Sequence, residues 1–470
     1  MQSEKEYKKL NKTPLYSRHL EMGAKTIEFA GWLMPLNYSH GIMHEHLATR
    51  KSAGLFDISH MGRFKISGKD SLSFLQHVLT NNAASLEVGE SHYTIISDNE
   101  GTAIDDLYLY RFYSDSYILV ANASNYKKDK NYMLDTAGRF GHVSIEDITE
   151  SLSMLSIQGP KSREILLSII SSGSLPEPLK NKLGIIYIDS SEVLVARTGY
   201  TGEPLGFELF IESKKVETLW NKLISKGASP VGLAARDTLR LEASLPLYGH
   251  ELGINNNNIK IPVFSSPQSR LAVSFSELKN NFIGKDALMV QFNALKKILN
   301  RDYSQINSLP RIIMPLELLE KGIARAGDKV YFNGNLVGSV TSGTIVPYWI
   351  FADIDSIKEI TEMNTTRSIA LALIDSRMWE QDIVEIDIRG RKTKAVVMPY
   401  FLRSEAPPYA YPITSADILK TEAQKSHCKD SFKQMEVLIE KSHENSTWRQ
   451  KECINLIPSE MTPSRIVKLL

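Results

Sequence analysis

A chain of 470 residues, 42% hydrophobic and 23% charged, has the composition of a soluble globular protein and is long enough for roughly two to four domains, each with its own core. Its 55 basic and 54 acidic residues leave a formal net charge of +1, so no overall field draws it to nucleic acid or to an anionic membrane. The two cysteines, Cys428 and Cys453, have neither CxxC spacing nor the numbers for a disulfide framework, and no stretch approaches the roughly 18 apolar residues of a membrane span.

In chain order, the amino end "MQSEKEYKKLNKTPL" lacks the apolar segment of a secretory signal and carries acids that transit peptides avoid, so a cytoplasmic location is expected. "IMHEHLATRKSA", from residue 42, reads as a helix ending before Gly54. "GRFKISG" then alternates as a strand, and "KDSLSFLQHVL" has apolar residues at helical spacing. His44 and His46 in the first of these helices diverge by about 200° and do not share a metal; both are expected to be solvated or capping. "HYTIISDNEGTAIDDLYLYRF" predicts two antiparallel strands joined by a turn, and "SYILVANAS" another strand. A second set follows through "LSMLSIQGP", "KSREILLSII", "SEVLVART", "FELFIES" and the helix "KVETLWNKLISKG". Strands mixed with helices, without regular βαβ alternation, predict an α+β fold. From about residue 310 short strands with Gly and Asn turns dominate, as expected of a small barrel or roll. "SEAPPYAYPITSAD", after Arg403, reads as a Pro-rich linker with no core of its own, and "DSFKQMEVLIEK" resumes helical periodicity.

Three stretches carry polar groups where elements of this kind usually carry none. In "GTAIDDLYLY" two carboxylates sit side by side in an apolar strand. Alternation puts Asp106 on one face with Tyr108 and Tyr110, and Asp105 on the other with Leu107 and Leu109. One acid among aromatic rings suits a pocket for a flat ligand with a protonatable nitrogen; a solvated pair after the Gly101 turn is the competing reading. In "ARTGYTGEPLGFELFI" three glycines and Pro204 permit an irregular loop around Tyr200, and Glu208 lies between Phe207 and Leu209, facing either a partner or water. In "VGLAARDTLRLEASLPLYG" an amphipathic helix carries Arg236, which either pairs with Asp237 or grips a carboxylate ligand bidentately.

Taken together, "GWLMPLNY", "RKSAGLFDISHMGRFKISG", "AIDDLYLY", "LVANASN", "IQGP", "RTGYTGEPLGFEL", "GLAARDTLRLEASLPLYGHEL", "NNFIGKDAL" and "LVGSVTSG" resemble, in order and from about residue 13 to 403, the glycine cleavage T-protein family of tetrahydrofolate-dependent aminomethyltransferases. The resemblance implies a three-domain clover-leaf around a central folate opening. Its first α+β domain would span 1–56 and 157–290, an inserted α+β domain 57–156, and a β barrel 291–403, followed by a linker over 404–430 and a helical tail over 431–470. It implies transfer of an aminomethyl carbon from the lipoyl arm of an H protein to tetrahydrofolate, with release of ammonia. Tetrahydrofolate is then a co-substrate, and the lipoylated H protein a partner. No metal and no pyridoxal phosphate are expected, nor any nucleic acid or membrane partner. By matching motifs the catalytic carboxylate is Asp106, and the folate contacts are Tyr93, Asn122, Tyr200, Glu208, Arg236 and Arg403. His60, within a family motif, is expected to serve structure at a domain junction. "TGEPLGFE" is one residue longer than the usual form, and "INNNNIKIPVF" departs from the usual stretch after "YGHEL".

Two alternatives share this architecture: a folate-dependent demethylase of a sulfonium or methylamine donor, and a non-enzymatic folate-binding module. The latter usually carries a cysteine in a "KGCY" loop, which reads "RTGYTGEP" here. Residues 438–470 resemble the opening of serine hydroxymethyltransferase, with Ser459 and Glu460 matching and Met461 replacing asparagine. The pyridoxal phosphate lysine of that enzyme would lie beyond Leu470, so its reaction is not expected of this chain.

Overall fold

The computed structural model describes residues 10–255, 258–354, 357–404 and 408–419. The chain divides into two compact units, Met1–Ser415 and Ala416–Leu470, and the architecture below is that of the first. The helical reading of "DSFKQMEVLIEK" and the 438–470 resemblance lie outside the described residues.

The alternating stretches form two sheets joined in a way that matters for the site. A seven-stranded sheet runs in the order Ser172–Gly173, Leu183–Ile188, Ser191–Ala196, Gly206–Glu212, Leu152–Gln158, Gly54–Asp57, Ser229–Pro230. Its neighbours Gly54–Asp57 and Leu152–Gln158 are antiparallel, yet the chain between them builds a separate, wholly antiparallel five-stranded sheet. That sheet has the order Glu90–Ser97, Ala103–Arg111, Ser116–Ala121, Gly62–Ser67, Ser144–Asp147.

Each sheet buries one face under its own helices. Leu55, Leu155, Ile157, Leu209 and Ile211 pack with Trp220 of the helix Val216–Ser225, and Phe64, Leu107, Leu109 and Leu119 pack with Phe74 and Leu75 of Ser71–Val78. The opposite faces meet through Phe56, Tyr110, Phe112, Val120, Met154 and Phe210, with Leu239 of the helix Leu233–Glu242 in the same cluster. Tyr110 and Phe112 stack with centroids 6.1 Å apart, and Phe210 approaches both edge-on. Burial of such rings stabilises by roughly 1.5–3 kcal/mol each, which makes this layer a firm floor.

The strand-rich third part closes as the barrel its pattern predicts. Arg311–Leu318, Ile357–Asp375, Asn335–Ile354, Lys329–Phe332, Ile383–Ile388 and Arg391–Val397 pair in a ring around Val330, Val340, Ala372, Val384 and Ala395. Here the linker expectation meets a difference. Leu402–Arg403 pairs with Tyr411–Pro412, Ala410 is buried, Arg367 donates to Ile413 O, and Ser415 Oγ donates to Glu317 Oε1 at 2.7 Å. The start of that segment is pinned by backbone and carboxylate hydrogen bonds that composition does not reveal.

Candidate active site

Strand pairing sets the central carboxylate. Across Glu90–Ser97 and Ala103–Arg111, Tyr93 lies opposite Tyr108 and Ile95 opposite Asp106, so Tyr93 and Asp106 are diagonal neighbours on one face. Tyr93 Oη donates to Asp106 Oδ2 at 3.0 Å, and Asn122 Nδ2, just past the next strand, donates to Asp106 Oδ1 at 3.0 Å. The Asp105 carboxyl on the opposite face is fully buried and accepts from Asn122 N and Asn122 Nδ2, each at 3.0 Å. The face assignment from alternation therefore holds, and the solvated-pair reading does not: Asp105 is in the interior and Asp106 lines a cavity.

That cavity has a volume of about 750 Å³. Tyr93, Asp106, Tyr108, Tyr110, Asn122, Tyr200, Glu208 and Arg236 all line it, so six of the seven expected contact and catalytic residues come together. Arg403 is the exception: it is exposed on its short strand pair and lies outside this lining. Sequence reasoning did not single out Arg240, Tyr248, His250, Gln268, Arg325 or Ser342, which also border the cavity. Several of these come from the barrel and its approach, brought in by long-range packing that leaves no local periodicity.

The loop "RTGYTGEPLG" is shaped by Gln158. This buried amide donates to Thr198 O and Ser156 Oγ, each at 3.0 Å, and accepts from Thr201 Oγ1 at 3.1 Å; a Cβ at Gly199 or Gly206 would strike it. The glycines thus permit a close approach, and Gly202 adopts φ +78°. Tyr200 Oη donates to Pro246 O, fixing its ring in the wall. Glu208 is buried, not water-facing: Tyr110 Oη donates to Oε2 at 2.7 Å, and Thr198 Oγ1 donates to the same oxygen. Arg236 does not pair with Asp237, whose carboxylate takes Arg240 Nε at 2.8 Å. Its guanidinium instead lies 5.1 Å from the Tyr200 ring centroid and 6.0 Å from that of Phe56, and its buried Nη1 has no hydrogen-bond partner among the described residues. An unpaired buried donor beside a cavity is costly unless a ligand satisfies it.

The histidines divide differently from expectation. His46 is buried, with Nδ1 2.8 Å from Thr238 Oγ1 and Nε2 3.1 Å from Glu242 Oε2, so it is neither solvated nor a cap. His44 is exposed, as expected, and lies against His40 with ring centroids 4.8 Å apart. His60 lines the cavity with Nδ1 unpartnered; burial pushes its pKa down to about 3, which keeps it neutral. Among the described residues no cluster of His, Cys, Asp and Glu could hold a metal.

Electrostatics single out Asp106. Burial and the adjacent Asp105 charge raise its pKa to about 7, with the Tyr93 and Asn122 hydrogen bonds opposing the rise. Burial and Asp106 push the Tyr93 phenol well above its ordinary value, so it remains a donor. A carboxyl raised toward neutrality and held by two donors on the wall of an aromatic-lined cavity is the arrangement expected of an enzyme site.

The comparisons with known proteins agree with that class. Residues 15–262 match the family model described as "GCVT N-terminal domain". The chain is 35% identical over 403 residues to the aminomethyltransferase of Lysinibacillus sphaericus (84% of this chain, 99% of the relative) and 37% identical over 404 residues to that of Bacillus cereus strain ZK / E33L (the same shares). It superposes with a TM-score of 0.69 and 29% identity on the crystal structure of glycine cleavage system aminomethyltransferase T from Bartonella henselae, over 86% of this chain and all of that one. The chain belongs to the glycine cleavage T-protein family of aminomethyltransferases, enzymes that transfer a one-carbon unit.

Proposed function

We propose that this enzyme takes the aminomethyl carbon from the lipoyl sulfur of an H protein and delivers it to tetrahydrofolate, releasing ammonia and leaving a dihydrolipoyl arm. Asp106 is the reacting-site carboxylate. Tyr93, Asn122, Tyr200, Glu208 and Arg236 hold the folate. The observation that carries the reading is Asp106, held by Tyr93 and Asn122 on the wall of a cavity of about 750 Å³.

Folate has a flat pterin, an aromatic linker and a glutamate tail. The residues present fit each part: tyrosine faces for the rings, buried carboxylates for ring donors, and a guanidinium with an unsatisfied Nη1 for an anionic or carbonyl oxygen. In the reaction the C–N bond to ammonia and the C–S bond to the lipoyl arm break, while two C–N bonds to folate form. A carboxylate beside the acceptor amine orients it and stabilises the cation that develops, and can take the proton the amine loses. Exclusion of water protects the iminium carbon from hydrolysis to formaldehyde. No helix among the described residues is long and apolar enough to cross a membrane.

The decisive assay supplies aminomethylated H protein and tetrahydrofolate and follows ammonia. Folate-dependent release supports the reading. Methyl transfer to tetrahydrofolate from a sulfonium or methylamine donor, with no activity on H protein, overturns it.

A further inference from the structure

The helix Tyr126–Ala137 buries one acid that neither packing nor the cavity accounts for. Asp129 is 0% exposed, as is Asp105 on the strand Ala103–Arg111, and the two carboxyls adjoin. Asp105 receives Asn122 N, Asn122 Nδ2 and Asn125 Nδ2. Asp129 receives nothing from the described residues: none of their N–H or O–H groups reaches either of its side-chain oxygens. Lys128, adjacent on the helix, directs Nζ to Ile104 O at 2.5 Å and Tyr248 Oη at 2.8 Å, and among the described residues no Lys, Arg or His forms an ion pair with either acid. Two ionised carboxylates in contact, buried and without a cation, repel each other in a medium that cannot screen them. A buried carboxyl offered no donor, touching one that has three, is satisfied only by being a donor itself.

We propose that Asp129 is a proton-bearing positioning residue for the transfer reaction: it donates a proton to Asp105, so that the buried pair carries a single charge and Asp105 holds Asn122 beneath Asp106. The proposal rests on the reading of Asp106 as the reacting-site carboxylate. Burial, with Asp105 and Asp106 as neighbouring charges and Lys128 opposing them, pushes Asp129 up to about 10, in keeping with a neutral acid at physiological pH. The consequence reaches the cavity through one nitrogen. Asn122 Nδ2 lies 3.0 Å from each of Asp105 Oδ1, Asp106 Oδ1 and Asp106 O, so the site of the Asp105 charge fixes the amide and raises the proton affinity of Asp106.

The test compares Asp129→Asn, which donates but cannot ionise, with Asp129→Ala, which does neither. Infrared difference spectra of the folded enzyme without substrate, at near-neutral pH, are expected to show a carboxylic-acid C=O band in the wild type that Asp129→Asn lacks. With aminomethylated H protein and tetrahydrofolate, the acid limb of the transfer profile is expected to move down by about one pH unit or more in Asp129→Ala, as the proton passes to Asp105 and Asp106 loses its charged neighbour. Asp129→Asn is expected to restore the limb. No acid band lost in Asp129→Asn, or a limb displaced as far by Asn as by Ala, overturns the proposal. Should Asp129→Ala not fold, the Asn variant and the infrared band decide. Undiminished transfer by Asp106→Asn would instead sink the assignment of Asp106, and the infrared result would still locate the proton on Asp129 or refute it.

Discussion

Tyr93 and Asp106, thirteen residues apart, are locked on one face of the five-stranded sheet by a hydrogen bond of 3.0 Å from phenol to carboxylate. The bond restrains the Asp106 rotamer while leaving its other oxygen to Asn122. Replacing Asp106 by Asn keeps size and burial but removes the charge that the proposed mechanism assigns to the acceptor amine. Asp106→Asn should therefore retain folate binding, followed by fluorescence titration, while ammonia release on H protein falls by about 10²–10⁴-fold. Turnover at the wild-type rate would contradict the role.

The raised pKa of Asp106 sets a pH dependence with a definite sign. In the proposed mechanism the carboxylate is the working form, so transfer should rise with pH through about 7 and level off above it. Stability runs the other way. From its ordinary value of 3.8 up to about 7 the folded state keeps a proton that the unfolded chain has lost, so this residue makes the fold less stable as pH rises through that window. Asp106→Asn should flatten that part of the stability profile in urea titrations, and the variant should be the more stable protein above pH 7. An unchanged slope would place the proton elsewhere.

Arg236 offers a separation of binding from folding. Its Nη1 is buried without a partner among the described residues, and burial lowers the guanidinium's affinity for its proton despite Glu208 nearby. Arg236→Met should raise KM for tetrahydrofolate roughly 10-fold or more while leaving stability unchanged or improved, because a charge-assisted hydrogen bond is lost only when ligand is bound. Arg403→Ala, on an exposed residue outside the cavity lining, should leave KM for monoglutamyl folate near the wild-type value. A large KM change in the second and none in the first would reverse the assignment.

What the sequence made legible follows from period. Asp106, Tyr108 and Tyr110 were assignable to one face because side-chain alternation is local, and the neighbouring strand register then brought Tyr93 to the same acid. The helix Ile42–Lys51 shows where period fails. It buries Glu45, His46, Thr49 and Arg50, so its interior face is polar and hydrophobic spacing says nothing about which side faces inward. That is why spacing predicts a solvated or capping His46 where the fold buries it. The buried pairs that face engages, Arg50 with Glu203 and Glu242, and Arg367 with Glu242 and Glu317, join residues that no local pattern links.

Arg50 is the place to test what that hidden network does. Its Nη1 donates to Thr201 O at 2.8 Å and pairs with Glu203 Oε1 at 2.6 Å, while Nη2 lies 2.9 Å from Glu242 Oε2, all of it buried. Thr201 and Glu203 flank Gly202 in the loop that carries Tyr200, so this guanidinium ties the cavity wall to the helix Leu233–Glu242. Arg50→Met should cost about 3–5 kcal/mol in urea unfolding, because both glutamates lose a buried counter-charge. Burial already raises Glu203 to about 7 with Arg50 opposing the rise; without Arg50 it takes a proton more readily. The deficit should therefore be smaller below pH 7 and grow above it, where Glu203 must ionise unaided. The loosened loop should also raise KM for tetrahydrofolate with less effect on kcat, since Tyr200 is a proposed folate contact and Asp106 remains in place. A pH-independent loss would show that Glu203 stays ionised throughout and that the network is a packing element only.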